Sequence, residues 1–269
     1  FIGHDVNYAV TCSIYKALYH DPRFLPSVRQ KELIDAGFLG RKSGRGFYKY
    51  RGSAKNPQPF FAKKAKSPAT INISGNLGVA QPLIGLWQDA GIRVIEKQGE
   101  DGSIRAGSAS IALSDGRTAT RRGADNGQRN TIVFDLALDY QSTGCIALSP
   151  SDKATAESLQ SAAGLFQKLG KEVVVLDDTP GLAVMRTICM LTNEAAEAVQ
   201  HQVCDANAVD IAMQNSIGYP VGPLAWGDTL SAETVLRVLE NLQKSYGQER
   251  YRPSQLLQRK ADSDTRFHP

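Results

Sequence analysis

The sequence predicts a mixed fold in which helical segments at both ends flank a small α/β layer domain. Three observations carry this reading. Apolar residues recur every three to four positions near each end, which is the helical period. Between them, short β-branched runs alternate with helical stretches, the pattern of a layered domain with some parallel pairing. Finally, Arg23-Phe24-Leu25-Pro26-Ser27 returns as Arg250-Tyr251-Arg252-Pro253-Ser254, 227 positions later, each time between an amphipathic helix and a short one.

Residues 1–50 read as the end of a first helical domain. Val6, Ala9, Val10, Ile14, Ala17 and Leu18 share one face of a helix over 5–20, which Asp21-Pro22 stops. Ser27 can cap a short helix through Ala36, with Gly37 closing it. A glycine-rich basic loop follows, Leu39 to Gly46, and Phe47–Tyr50 suit a short strand. Residues 51–68, with Pro57, Pro59 and Pro68, read as a linker.

Residues 69–178 read as the α/β domain. Strands are predicted at Thr70–Ser74, Ile92–Ile95, Ile104–Leu113, Thr131–Leu138, Cys145–Leu148 and Glu172–Leu176. One helix is predicted through Ala90, and another from Asp152 to Leu169 with Ser151 as its cap. Residues 179–269 read as a second helical domain. Thr179-Pro180 starts one helix, Asp205 caps the next, Ser231 caps a third that ends at Gly247, and Pro253-Ser254 starts the last.

Composition narrows the function classes. The chain has 269 residues, 42% hydrophobic and 22% charged, which excludes wholesale disorder and collagen-like repeats. No apolar run approaches the roughly 18 residues of a membrane helix, so no membrane association is expected. The start lacks a basic n-region and an apolar h-region, so it does not read as a signal peptide; it also lacks Met. Cys12, Cys145, Cys189 and Cys204 form no C-x-x-C pair, and His4, His20, His201 and His268 are scattered. Free thiols in the cytoplasm and no metal are therefore expected.

The net charge is +4, but Ala36–Gln88 carries nine basic residues, Lys55 among them, and no acid, leaving about −5 elsewhere. That stretch suits either a phosphate partner or a solvated linker. Lys63, Lys64 and Lys66 beside Phe60 and Phe61 match a nucleic-acid surface only in charge and in stacking rings; the bland reading is a linker anchored by its aromatics, and no nucleic acid is expected.

The loop Gly75-Asn76-Leu77-Gly78-Val79-Ala80 sits after a strand, where a dinucleotide fingerprint requires glycines at its first, third and sixth positions. Gly75 meets the first and Ala80 is tolerable at the sixth, but Leu77 occupies the third, where a side chain obstructs a pyrophosphate. Glu96 ends the next strand at the distance of a ribose-binding acid. Gly75, Gly78 and Glu96 are thus the candidate cofactor residues, with a degenerate, structural Rossmann-like module as the alternative.

The motifs at the two ends resemble one family. Asp21 to Ser27 with Leu39 to Tyr48, and then Gly181 to Arg186, Asn193-Glu194-Ala195, Asp210, Gly218 to Pro223 and Asp228, resemble two copies of the C-terminal helical domain of 3-hydroxyacyl-CoA dehydrogenases. The two-copy arrangement is similar to the long bacterial form, of the phenylacetate-degradation and 3-hydroxybutyryl-CoA type. The resemblance implies 6-phosphogluconate-dehydrogenase-like helical domains flanking a degenerate Rossmann-like insert. It implies oxidation of a 3-hydroxyacyl-CoA by NAD, in fatty acid β-oxidation or phenylacetate catabolism, by a homodimer.

In the family a His held by a Glu acts as base and an Asn helps hold substrate. The 227-residue offset puts the first copy's start about 47 residues ahead of Phe1, so the nucleotide-binding domain with that pair is expected outside the chain. No catalytic residue is assigned within it. Met185, followed by Arg186, stands at the family's Asn position, and a thioether cannot replace an amide. The resemblance leaves Arg41, Lys42 and Arg45 as candidates for coenzyme A phosphates or a partner subunit, against a purely structural turn. NAD is expected on the full-length enzyme and none on this chain, which is expected to be inactive by itself. The alternative is a non-catalytic CoA- or nucleotide-binding or scaffold module.

Overall fold

A computed structural model describes residues 2–52, 59–99 and 101–268. Lys55 and Pro57 of the expected linker lie outside the described residues. The chain divides into two compact units, residues 1–59 with 248–252, and residues 60–247 with 253–269.

The first unit holds α1 (His4–Ala17) and α2 (Val28–Asp35). A 3₁₀ turn (Pro22–Phe24) separates them, its start fixed by Asp21, whose carboxylate accepts the Arg23 N–H at 2.9 Å. Gly37 and Gly44 take φ of +71° and +74°, the left-handed backbone that glycine adopts without strain. The apolar face of α1 is not buried: Val6, Val10, Ile14 and Leu18 recur along one stripe and each is exposed.

The second unit is built on a seven-stranded sheet, β1 (Thr70–Ser74), β2 (Arg93–Lys97), β3 (Ser103–Ala106), β4 (Ala109–Leu113), β5 (Thr131–Phe134), β6 (Cys145–Pro150) and β7 (Glu172–Val175). Its order is β2-β1-β3-β4-β5-β6-β7. Three parallel pairs, β1·β2, β4·β5 and β6·β7, are each joined by a helix: α3 (Leu83–Asp89), α4 (Ala119–Asp125) and α5 (Ala156–Gln167). Antiparallel pairings through β3 and between β5 and β6 knit these pairs into one sheet.

Alternation along the strands supplies both faces. Ile132 and Phe134 join Ile71, Ile73, Trp87, Leu165 and Phe166 in the main core, while Val133 points the other way, toward Ala119 and Leu182. Trp87 and Phe134 each meet the Phe166 ring, at 5.8 and 5.3 Å between centroids.

The remaining helices are α6 (Val184–Gln200), α7 (Ala206–Ile217), α8 (Pro223–Leu230), α9 (Ala232–Tyr246) and α10 (Gln255–Asp262). Met185, Ile188, Cys189, Thr192, Ala195 and Ala196 form the buried stripe of α6; Val235, Val238, Leu239 and Leu242 form that of α9. Asp205, Ser231 and Ser254 cap α7, α9 and α10 through side-chain oxygens, as their sequence contexts predict.

The expected fold class needs correction. The α/β part is a full seven-stranded mixed sheet, and the C-terminal helices do not flank it as a separate domain but share its compact unit. The ties are specific. The buried Asp135 carboxylate, just after β5, accepts the N–H groups of Ala183, Val184 and Met185 at 2.8–2.9 Å. Asn241 Nδ2 on α9 donates to the Asp115 carbonyl after β4 at 2.8 Å.

Three smaller differences have their own local or tertiary reasons. Ile104–Leu113 is a hairpin of two strands rather than one, turned at Gly107-Ser108 with Gly107 at φ +60°, as a type II′ turn requires. Ser151 does not cap α5: its hydroxyl donates to the Arg129 carbonyl at 2.8 Å, and Thr155 caps instead. Part of the expected linker is bound to the sheet unit, where Ala62 donates to the Val173 carbonyl and Gln167 bonds the backbone of Ala62, Lys63 and Ala65.

Candidate functional site

The carboxyl ends of β1, β4 and β5 meet at one edge of the sheet. From β1 the chain crosses through α3 to one side, and from β4 it crosses through α4 to the other. The crevice between them is a switch point, where open α/β sheets bind ligands. It encloses about 340 Å³ and is lined by Asn76, Gly78, Asp101, Ser114, Asp115, Arg117, Arg122 and Arg237 among others.

An ion-pair network organises this polar crevice. Arg122 is buried; its Nη1 donates to the Leu113 carbonyl at 2.9 Å and to Asp115 at 3.1 Å, and its Nη2 donates to the Asp101 carbonyl at 3.1 Å. Arg117 grips Asp115 through Nε and Nη2 and reaches Asp125 with Nη1 at 2.9 Å. Burial pushes the Asp115 carboxyl up, but the bonds from Arg117 and the charge of Arg122 outweigh it and hold Asp115 below the ordinary carboxylate range. Burial lowers the Arg122 guanidinium from its ordinary value. Ser114 Oγ is buried and has no partner among the described residues.

A second cavity of about 610 Å³ shares the wall formed by Gly78, Val79, Leu230 and Thr234. Its lining is mainly apolar, with Leu136, Leu138, Tyr140, Ile188 and Trp226. Burial pushes the Tyr140 phenol well above its ordinary value, so that ring acts as a neutral wall.

Of the residues singled out in the sequence, Gly78 lines both cavities, whereas Gly75 and Glu96 line neither. Gly75 is required by its own chain, since a Cβ there would stand 2.6 Å from the Gly99 carbonyl oxygen. Glu96 is exposed on β2, the edge strand. Leu77 packs into the buried core and also lines the crevice. The loop still does not fit a pyrophosphate. The Leu77 N–H donates to Gln81 Oε1 at 3.0 Å and the Gly78 N–H to Asn76 Oδ1 at 2.7 Å, so amides that would cradle phosphate are engaged.

Met185 is completely buried, with Cys189 Sγ 3.8 Å from its sulfur, and presents no polar atom to a ligand. Arg41, Lys42 and Arg45 each engage neighbours in the first unit. Lys42 bonds Asp5 at 2.6 Å and holds that carboxyl below its ordinary value, Arg45 lies 3.9 Å over the Phe38 ring, and Arg41 lies 5.5 Å over Tyr50.

The motif residues near the C-terminal end serve as ties. Asn193 Oδ1 accepts from the Ser254 N–H at 2.8 Å. Asp210 accepts the Leu224 and Ala225 N–H groups at the start of α8, each at 2.9 Å. Gly222 is glycine because a Cβ would stand 2.1 Å from the Asp210 carboxyl carbon. Asp228 accepts the Phe267 and His268 N–H groups at 2.7 and 3.0 Å. None of the four histidines lines either cavity; the His201–Glu197 pair, 3.3 Å apart, lies on α6 with its imidazole largely exposed. Sequence reasoning missed Ser114, Asp115, Arg117, Arg122 and Arg237. The one available signal was the density of Arg and Asp over 115–125.

Comparison with known proteins places these features. Residues 1–50 and 181–266 match the 3-hydroxyacyl-CoA dehydrogenase C-terminal domain, and residues 111–180 match the 3-hydroxybutyryl-CoA dehydrogenase reduced Rossmann-fold domain. With that domain present, the expectation of a chain that takes no cofactor, its nucleotide-binding part lying elsewhere, has no support from the fold. The chain is 34% identical over 97% of its length to Escherichia coli 3-hydroxyadipyl-CoA dehydrogenase, and spans about half (49%) of that relative. It is 33% identical to a probable 3-hydroxybutyryl-CoA dehydrogenase of Bacillus subtilis over 38% of this chain and 36% of the relative. The crystal structure of E. coli 3-hydroxybutyryl-CoA dehydrogenase superimposes with a TM-score of 0.79 at 31% identity, covering 97% of this chain and 49% of that one. A duplicated helical motif, a reduced Rossmann-type sheet between its copies and these matches lead to one conclusion: the chain belongs to the 3-hydroxyacyl-CoA dehydrogenase family.

Proposed function

We propose that the chain serves a cytoplasmic, NAD-dependent dehydrogenase that oxidises (S)-3-hydroxyacyl-CoA to 3-oxoacyl-CoA, in fatty acid β-oxidation or phenylacetate catabolism. The observation that carries this reading is the match to the family's C-terminal domain at both ends of the chain. Within such an enzyme this chain supplies substrate-domain helices and dimer contacts. The exposed stripe of Val6, Val10, Ile14 and Leu18 on α1 supports the second part, because monomeric surfaces rarely leave such a contiguous stripe uncovered.

The test is NADH formation from (S)-3-hydroxybutyryl-CoA and from 3-hydroxyadipyl-CoA, measured for the 269-residue chain and for the complete product of its gene. Turnover of one of these substrates by the gene product is the expected result. Absence of turnover in both sinks the dehydrogenase reading. Sedimentation of the gene product checks the dimer.

A further inference from the structure

We infer that a cavity beside the edge strand β7 binds a small diphosphate anion through Lys64, Lys168 and Lys171. It encloses about 570 Å³, and no residue lining it lines the crevice or the apolar cavity described above. The site does not depend on the dehydrogenase reading.

Three observations converge. The first is charge. Lys64, Lys168 and Lys171 line the cavity against one acid, Glu172, an excess of two positive charges. Among the described residues the lysine ion pairs are Lys31–Asp35 and Lys42–Asp5, so these three have no carboxylate bound to them. The second is Lys171 itself. It is buried, and of its three N–H donors one is used, on the Thr143 carbonyl at 2.9 Å. Burial lowers this amine from its ordinary value, and the charge of Asp139 does not offset it. An anion in the cavity supplies the missing counter-charge. The third is that neighbouring groups leave the lysines free. The last carbonyls of α5, at Gly164, Phe166 and Gln167, already accept the N–H groups of Lys168, Leu169, Lys171 and Gly170, so no lysine is needed to cap that helix. The Gln167 side chain pins the segment carrying Lys64 through the backbone of Ala62, Lys63 and Ala65. Gly164 permits this close approach, since a Cβ there would stand 2.4 Å from the Lys66 carbonyl oxygen. Lysines bind phosphate as point charges, without the planar fork that arginine offers a carboxylate. The volume falls within the range of small-molecule pockets. Free pyrophosphate and a diphosphate ester both carry the required charge.

Calorimetric titration of the chain with pyrophosphate and with ADP tests the site. One saturable site per chain is expected, and the tighter of the two ligands identifies the free anion or the ester as its source. Lys64→Ala and Lys168→Ala should each weaken binding about fivefold, and the double variant more than either. Lys171→Met keeps the apolar stem without the charge and should weaken binding about tenfold or more. Arg129→Ala removes the same charge at a different cavity and should bind like the parent. Lys64, Lys168 and Arg129 are exposed, so circular dichroism should show these variants folded, and they carry the test should Lys171→Met fail to fold. The proposal is overturned if neither ligand saturates, if the folded Lys64→Ala and Lys168→Ala variants bind like the parent, or if Arg129→Ala weakens binding as much as they do.

Discussion

Arg23 and Arg250, 227 residues apart, make reciprocal bonds: Arg23 Nη1 donates to the Arg252 carbonyl at 3.1 Å, and Arg250 Nη2 donates to the Leu25 carbonyl at 3.3 Å. Leu25 and Arg252 are separated by the same offset, so each copy of the motif does to the other what is done to it, as in a two-fold contact. The local structure follows the same spacing. The 3₁₀ turn at Pro22–Phe24 repeats at Glu249–Tyr251, and Val28–Asp35 repeats as Gln255–Asp262.

The two arginines differ in depth, and this predicts an asymmetry. Arg23 is 5% exposed and Arg250 is half-buried. Arg23→Ala should cost about 2 kcal/mol, the range of a hydrogen bond from a charged donor, and Arg250→Ala less than about 1 kcal/mol. Urea unfolding of both variants measures the difference; equal losses would contradict it.

Asp135 sets the start of α6 from outside that helix. Its carboxylate holds three N–H groups of the first turn and also accepts from Leu136 at 2.8 Å. Asp135→Ala strands these donors in a buried place and should cost about 3 kcal/mol, with Asp135→Asn losing less. The midpoint of chemical denaturation reports this loss.

Asp115 predicts an acid-sensitive step. Its folded carboxyl lies below its ordinary value of 3.8, so its contribution is complete above that pH and is lost as pH falls from there through the folded value. Asp115→Asn should therefore cost about 3 kcal/mol at neutral pH, since it leaves buried Arg122 without its ion-pair partner. It should also flatten the decline of stability below about pH 4 relative to the parent. Denaturant midpoints from neutral pH down into the acid range give both numbers.

An amide at Met185, the position where the motif resemblance expects the family's Asn, should not bring chemistry. Met185→Asn buries an amide among apolar side chains and should cost about 2–3 kcal/mol. NADH formation should be unchanged. Increased turnover would show that the second copy can act on substrate.

Signals read within a few residues survived folding. Asp205, Ser231 and Ser254 cap the helices they precede, because a cap needs only a side-chain oxygen and the next turn's N–H. Gly247 ends α9 at φ +61° for an equally local reason. The repeat at 227 was legible because a duplicated segment keeps its motif. By contrast, α4 went unread: its cap, Thr118, lies in a stretch rich in Gly, Ser and Arg, and its first N–H groups are held by Asp178, far along the chain. The candidate site was mostly hidden too. Ser114, Arg122 and Arg237 belong to three segments, and no spacing rule relates them.

By itself the sequence determined the family, the duplication and the capped ends of several helices, since these depend on motifs or on neighbours within a turn. Folding in three dimensions decided that the C-terminal helices share a compact unit with the sheet, that Leu77 is buried in the sheet's core while also lining the crevice, and that a polar crevice and an apolar cavity share a wall. The physical reason is that these outcomes rest on long-range bonds, from Asp135 to α6, Asp178 to α4 and Asn241 to Asp115. A partner's place in three dimensions, not its separation in the chain, selects such bonds.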